Sequence, residues 1–297
     1  MNKKFKIMKL ITQNLKIITL LLITVFCLSC SDDDDYDSSE PIYNDGGGGD
    51  GYGSGDSGGD GVSPTDQSKT YSLGSIGDGS ISGTATFIEM NDNTVTVELE
   101  LQGTPDGGEH PAHIHFNSVA ETGGVAKTLA SVDGTTGKSS TNFASLDDDT
   151  PISYADILDY DGHINVHLSP DNLETLVAQG DIGGSELTGT TKTYNLDEAD
   201  VSGINGTAEF AERANGTALL TVSLEGTSEG DVHPSHIHAN NLASGGESIV
   251  DLNDVDGGTG IAKTHISEFN DETPLSYNDI LSLDAHINVH LSGTEMS

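Results

Sequence analysis

Thr94-Val95-Thr96-Val97-Glu98-Leu99-Glu100-Leu101 alternates polar and apolar residues without a break, and this alternation decides the fold class. Successive side chains of a strand point to opposite faces, so Val95, Val97, Leu99 and Leu101 share one face. Working outward, Ser80 to Phe87 reads S-I-S-G-T-A-T-F, and Leu220, Val222 and Leu224 repeat the alternation much further along. Short strands at regular spacing, turns rich in Gly, Asp and Asn, and little helical periodicity predict an all-β chain built as antiparallel β-sandwiches. One or two short helices are expected in each half of the chain, and the first half shows two such patterns. One covers Ser153 to Leu158, where Ser153 caps and Asp156 favours the positive helix end. The other follows Ser169-Pro170, with Leu173, Leu176 and Val177 on one face and Gly180 as the stop.

The sequence repeats itself. KTYSL at 69 to 73 returns as KTYNL at 192 to 196, an offset of 123. The same offset relates Gly83-Thr84-Ala85 to Gly206-Thr207-Ala208, His113 to His236, Thr150-Pro151 to Thr273-Pro274, and His167 to His290. A period this long is a duplicated domain and not a solenoid unit. The first copy is assigned to 69–191 and the second to 192–297, the second lacking a counterpart of TLVAQGDIGGSELTGTT at 175 to 191.

Ahead of the copies lie two segments of different composition. Lys3 to Lys9 form a basic region and Ile17 to Leu28 a short apolar run, well below the ~20 residues needed to span a bilayer, so residues 1–30 are expected to be a signal peptide. The run ends in Cys27-Leu28-Ser29-Cys30, which resembles the lipobox of bacterial lipoproteins, with Cys27 where that motif usually has Leu. The resemblance implies acylation of Cys30. Ser31 and Asp32 to Asp35 resemble the export signal that sends Bacteroidota lipoproteins to the outer cell surface, which implies an outer-membrane, lipid-anchored protein. The alternative is a secreted chain with Cys30 unmodified. Residues 31–67 are mostly Asp, Gly and Ser and are expected to be a disordered tether, reaching roughly 30–35 Å as a flexible coil. Calcium binding by its Asp-Gly alternation is the other reading, though no bidentate Glu stands at loop spacing.

The chain has 11 Lys+Arg against 48 Asp+Glu, for a net charge of −37. Five of the basic residues lie before Cys30, so the rest carries 6 against 48, or −42. Such a field excludes nucleic acid and anionic lipid as electrostatic partners. No cysteine follows Cys30, so neither an intrachain disulfide nor thiolate chemistry is available to the two copies.

Ten of the eleven histidines fall in two recurring segments. The first, H-P-x-H-I-H, supplies His110, His113 and His115, then His233, His236 and His238. The second, D-x-H-I-N-V-H, supplies Asp161, His163, Asn165 and His167, then Asp284, His286, Asn288 and His290. Strand periodicity puts His113 and His115 on one face opposite Ile114, and His163, Asn165 and His167 opposite Ile164 and Val166. The histidines are therefore expected to gather on the outer surface of one sheet if the two strands are neighbours. Imidazole is mostly neutral at pH 7, and three or four nitrogen ligands without thiolate suit Cu(II) or Zn(II). The acidic surroundings should raise the histidine pKa values while attracting a divalent cation. Asp161, Asn165, Asp284 and Asn288 are candidates to orient the rings from behind. The competing reading is a cluster of structural histidines that fasten strand ends, and His265, which has no histidine counterpart, is assigned to the surface.

GTATF at 83 to 87, HPAHIHF at 110 to 116, SYADIL leading into HINVHLS, and GDIGGSEL at 180 to 187 together resemble the CHRD domain family. That module was first described in chordin and is widespread in bacterial extracellular proteins. The likeness covers nearly all of 69–191 and of 192–292. It departs at Asp181-Ile182-Gly183, where the family closes with Glu-Ile-Arg-Gly, and the second copy has no such segment. The resemblance implies an immunoglobulin-like or Cu,Zn superoxide dismutase-like β-sandwich and attaches no common catalytic activity. A more distant likeness to Cu,Zn superoxide dismutase would put His113, His115 and His167 in copper-ligand places. No cysteine pair, no arginine near the second segment and no histidine in 117 to 149 support dismutase activity, so no catalytic residue is assigned. The sequence leads to a surface lipoprotein whose two domains bind Cu(II) or Zn(II). A metal-free interaction or adhesion module with an extracellular partner is the alternative.

Overall fold

Val95, Val97, Leu99 and Leu101 are buried, whereas Glu98 and Glu100 are exposed, so the alternating run is a strand with one wet face. The structure is a computed structural model that describes residues 61–292 apart from Asp78. The expected signal peptide, the lipobox cysteine Cys30 and the tether up to residue 60 lie outside the described residues.

The first copy consists of β1 (Pro64–Ser75), β2 (Ser82–Met90), β3 (Val95–Gln102), β4 (Glu109–Phe116), β5 (Val125–Asp133), β6 (Lys138–Phe143), α1 (Tyr154–Asp159), β7 (Asp161–Ser169) and β8 (Asn172–Gly183). Its strands are antiparallel throughout and close into a barrel in the order β1-β2-β3-β6-β5-β4-β7-β8. Closure leaves no edge exposed. The inward residues, among them Phe87, Leu99, Ile114, Ile164 and Ile182, form one core. Ser153 caps α1 as expected, in a reciprocal box with Asp156, and the helix buries Tyr154 and Ile157.

The second copy repeats the plan with β9 (Leu187–Leu196), β10 (Asn205–Arg213), β11 (Ala218–Glu225), β12 (Val232–His233), β13 (Ser235–Ala239), β14 (Ser248–Asp251), β15 (Val255–Asp256), β16 (Ile261–Ile266), α2 (Tyr277–Ser282) and β17 (Ala285–Val289). These strands form two sheets, β12-β15-β16-β11-β10-β9 and β14-β13-β17. Among the described residues none takes the place of β8, and β17 and β9 are not joined. The consequence is visible at one pair of equivalent tyrosines: Tyr71 of β1 is 2% exposed and Tyr194 of β9 is 42% exposed. All described residues fall in one compact unit.

Three expectations are corrected. The helix expected after Ser169-Pro170 is strand β8, because the hydrogen-bonding edges of β7 and β1 both need a partner and tertiary pairing overrides a short amphipathic pattern. The tether gives way to β1 at Pro64, and β9 begins at Leu187, so the first strand of each copy starts before the residues where the repeat is most legible. His265 is not at the surface: its side chain is only 8% exposed.

Candidate metal centre

β4 and β7 are neighbours, with His113 directly across from Asn165 and His115 directly across from His163. Ile114 and Ile164 face each other in the core, so the intervening histidines are turned to the other side. His167, two residues beyond Asn165, stays on the same face of β7 and joins His113 and His115. The donor nitrogens of His113, His115 and His167 lie within 4.8 Å of one another, and those of His236, His238 and His290 do the same in the second copy. Both groups could hold a metal ion.

The closest pair is His113 Nδ1 and His167 Nε2, 3.0 Å apart. Two nitrogens on a tetrahedral zinc at ordinary bond lengths stand about 3.3 Å apart, so a shift of a few tenths of an ångström would fit this pair to a shared ion. Two of the three rings are already anchored. His115 Nδ1 donates to Gly123 O at 2.9 Å and His167 Nδ1 donates to Leu173 O at 2.6 Å. Each anchor fixes the tautomer that leaves Nε2 with its lone pair, and His115 Nε2 is buried without a hydrogen-bond partner. In the second copy His238 Nδ1 donates to Gly246 O at 3.0 Å, and His238 Nε2 is again buried and unpartnered.

The other four histidines of the two segments stay outside these groups. His110 and His233 are buried and point Nδ1 at the carbonyls of His167 and His290, at 3.1 and 3.2 Å. His163 donates Nδ1 to Asn117 O and stacks on His115 with ring centroids 5.0 Å apart. His286 does the same with Asn240 O and His238, at 5.3 Å between centroids. His163 and His167 are buried, and not on an open outer surface, because the 117–123 loop and β8 cover that face.

Burial also reverses the expected electrostatics. His113, His163 and His167 have pKa values below the ordinary 6.5, driven first by loss of solvent. Neighbouring imidazoles push the same way, and Asp147 opposes weakly at His113. The acidic field of the chain is screened by water, whereas desolvation acts on the ring itself. Neutral rings keep lone pairs available for a cation.

The residues expected to orient the rings do not hold them. Asp161 accepts a hydrogen bond from Ser185, Asn165 Oδ1 is buried without a partner, Asp284 is exposed, and Asn288 lies across from His236. Main-chain carbonyls do the orienting, and a carbonyl leaves no mark on residue type. The nearest sequence signal is glycine: a Cβ on Gly123 or Gly246 would overlap the carbonyl of Phe116 or Ala239, so these loops close only around glycine. Asn117 and Asn240, with φ of 63° and 65°, mark the other end of the same loops. No protein-family model matches the chain, and no curated protein matches it in sequence.

Proposed function

We propose that the chain is a surface-exposed, lipid-anchored protein whose two CHRD-like domains bind Cu(II) or Zn(II). His113, His115 and His167 would hold one ion and His236, His238 and His290 a second. The observation that carries this reading is the convergence of three imidazoles, twice, with two rings of the first set anchored through Nδ1 on carbonyls. An all-nitrogen donor set of neutral rings fits both metals, and raw affinity favours copper. The bound ion would be held or scavenged, since the chain's one arginine is engaged elsewhere and no group beside the histidines is assigned to chemistry. The anchor rests on Cys30 and the acidic residues after it.

Equilibrium dialysis of the full chain against Cu(II) or Zn(II), followed by elemental analysis, tests the reading. About two ions per chain are expected from two centres; fewer than one of either metal rejects it. A second reading, a metal-free adhesion module with structural histidines, draws on the carbonyl bonds of His110, His163, His233 and His286. A melting temperature indifferent to chelator and to added metal would favour it.

A further inference from the structure

Arg213 is the chain's one arginine, and its side chain is completely buried although it belongs to β10 of the second copy. Its Nη1 donates to Ser185 O and, at 2.7 Å, to Asp181 Oδ2 on β8 of the first copy. Its Nε and Nη2 have no hydrogen-bond partner. Burying a guanidinium so incompletely bonded is a poor route to stability, so its position calls for another account.

Asp181 supplies that account. Its second oxygen accepts the Val119 N–H at 2.7 Å, and Val119 sits in the 117–123 loop. This is the loop whose two ends carry Asn117 O and Gly123 O, the acceptors for His163 Nδ1 and His115 Nδ1. A second grip comes from the same side. Glu121 Oε2 accepts from Ser118 N and Oγ within the loop and lies 3.5 Å from His265 Nδ1 on β16 of the second copy. The second copy's own loop has the equivalent carbonyls but not the clamp. Ser244 stands in place of Glu121, and Leu242, in place of Val119, is 74% exposed.

We infer that Arg213 is a positioning residue that acts across the seam between the copies: through Asp181 and the 117–123 loop it holds His115 in the orientation the first centre needs. The inference rests on the reading that the centre takes a metal ion. It makes the two centres unequal, the first being preset by the second copy and the second not. The physical reason is that a ligand ring fixed before the ion arrives loses less freedom on binding.

The test uses the full chain with Zn(II) as the probe, in competition with a chromophoric chelator. In a background carrying His236→Ala and His238→Ala, only the first centre remains. Arg213→Gln there should raise the zinc Kd about tenfold, the scale of lost outer-sphere support. The same substitution beside His113→Ala and His115→Ala, where only the second centre remains, should leave Kd unchanged. A merely structural role would move both or neither. In the metal-free chain, the His115 Nδ1 proton should exchange faster by NMR in Arg213→Gln while that of His238 does not. If Arg213→Gln fails to fold, Glu121→Ala, which loosens the same loop from its partly exposed side, should shift both readouts in the same direction. An unmoved Kd at the first centre together with unmoved His115 exchange overturns the inference. A parent chain that binds no zinc overturns the metal reading instead and leaves the proton exchange to decide the clamp.

Discussion

His113 Nδ1 and His167 Nε2 stand 3.0 Å apart, and a single proton joins them. Its owner follows from the next link. His167 Nδ1 faces the Leu173 carbonyl at 2.6 Å, and since a carbonyl only accepts, that nitrogen carries the hydrogen and His167 Nε2 is the acceptor. His113 therefore donates through Nδ1 in the metal-free protein. A cation seated between the two nitrogens would need His113 in its other tautomer, with the proton moved from Nδ1 to Nε2, so the hydrogen bond between the rings would give way to the ion.

Replacing His113 and His115 together by Ala should remove about one ion from the stoichiometry while the second centre, built on His236, His238 and His290, keeps its own. Elemental analysis after dialysis reads the change directly. Unchanged stoichiometry would place the ligands elsewhere in the chain.

The metal-free protein should lose stability as pH falls below about 6.5. Burial holds His113, His163, His167 and His265 below that ordinary value, so between their native pKa values and 6.5 the unfolded chain binds more protons than the native one. Stability then rises with pH through this window and is complete above it. The carboxylates with lowered pKa, Asp92, Asp133 and Asp147 among them, act separately, their contribution being lost only as pH drops below their ordinary 3.8. Urea midpoints between pH 5 and 7.5, with chelator present, measure the effect. A midpoint that does not fall on acidification would contradict it.

Gly180 lets β8 close on β1. A Cβ there would overlap the carbonyl of Ser72 and press on Leu73, which belongs to the barrel core. Gly180→Ala should cost about 2–3 kcal/mol of unfolding free energy, since the neighbour is backbone and cannot turn aside. The change should also expose Tyr71, which β8 now covers, and a rise in its accessibility to an aqueous quencher would report the opened seam. Full retention of both midpoint and protection would show that β8 reseats without cost.

Cys30→Ser should abolish incorporation of labelled fatty acid and release the chain from the membrane fraction, because one thioether-linked lipid site is all that the lipobox resemblance provides. Membrane retention without label would point to another anchor.

Much of the fold was legible because strand burial follows a period of two, and Thr94 to Leu101 displays that period without interruption. The helix α1 was legible for an equally local reason, the Ser153 and Asp156 box. β8 was not, because Leu173, Leu176 and Val177 satisfy a helical stripe locally while the deciding partners, β7 and β1, are brought there only by closure. His265 is illegible for the same reason: it faces Glu121 of the first copy at 3.5 Å, a neighbour 144 positions away.

The sequence by itself determined the duplication, the all-β class and the set of histidines from which the two centres are drawn, since offset, alternation and residue type are all one-dimensional. The likeness to Cu,Zn superoxide dismutase already singled out His113, His115 and His167, the three that converge; only the tertiary structure decided which carbonyls fix the tautomers of the rings and that Arg213 reaches from one copy into the other. Those choices depend on the loops that glycine permits, on contacts between elements some thirty to fifty positions apart, and on backbone carbonyls that every residue possesses.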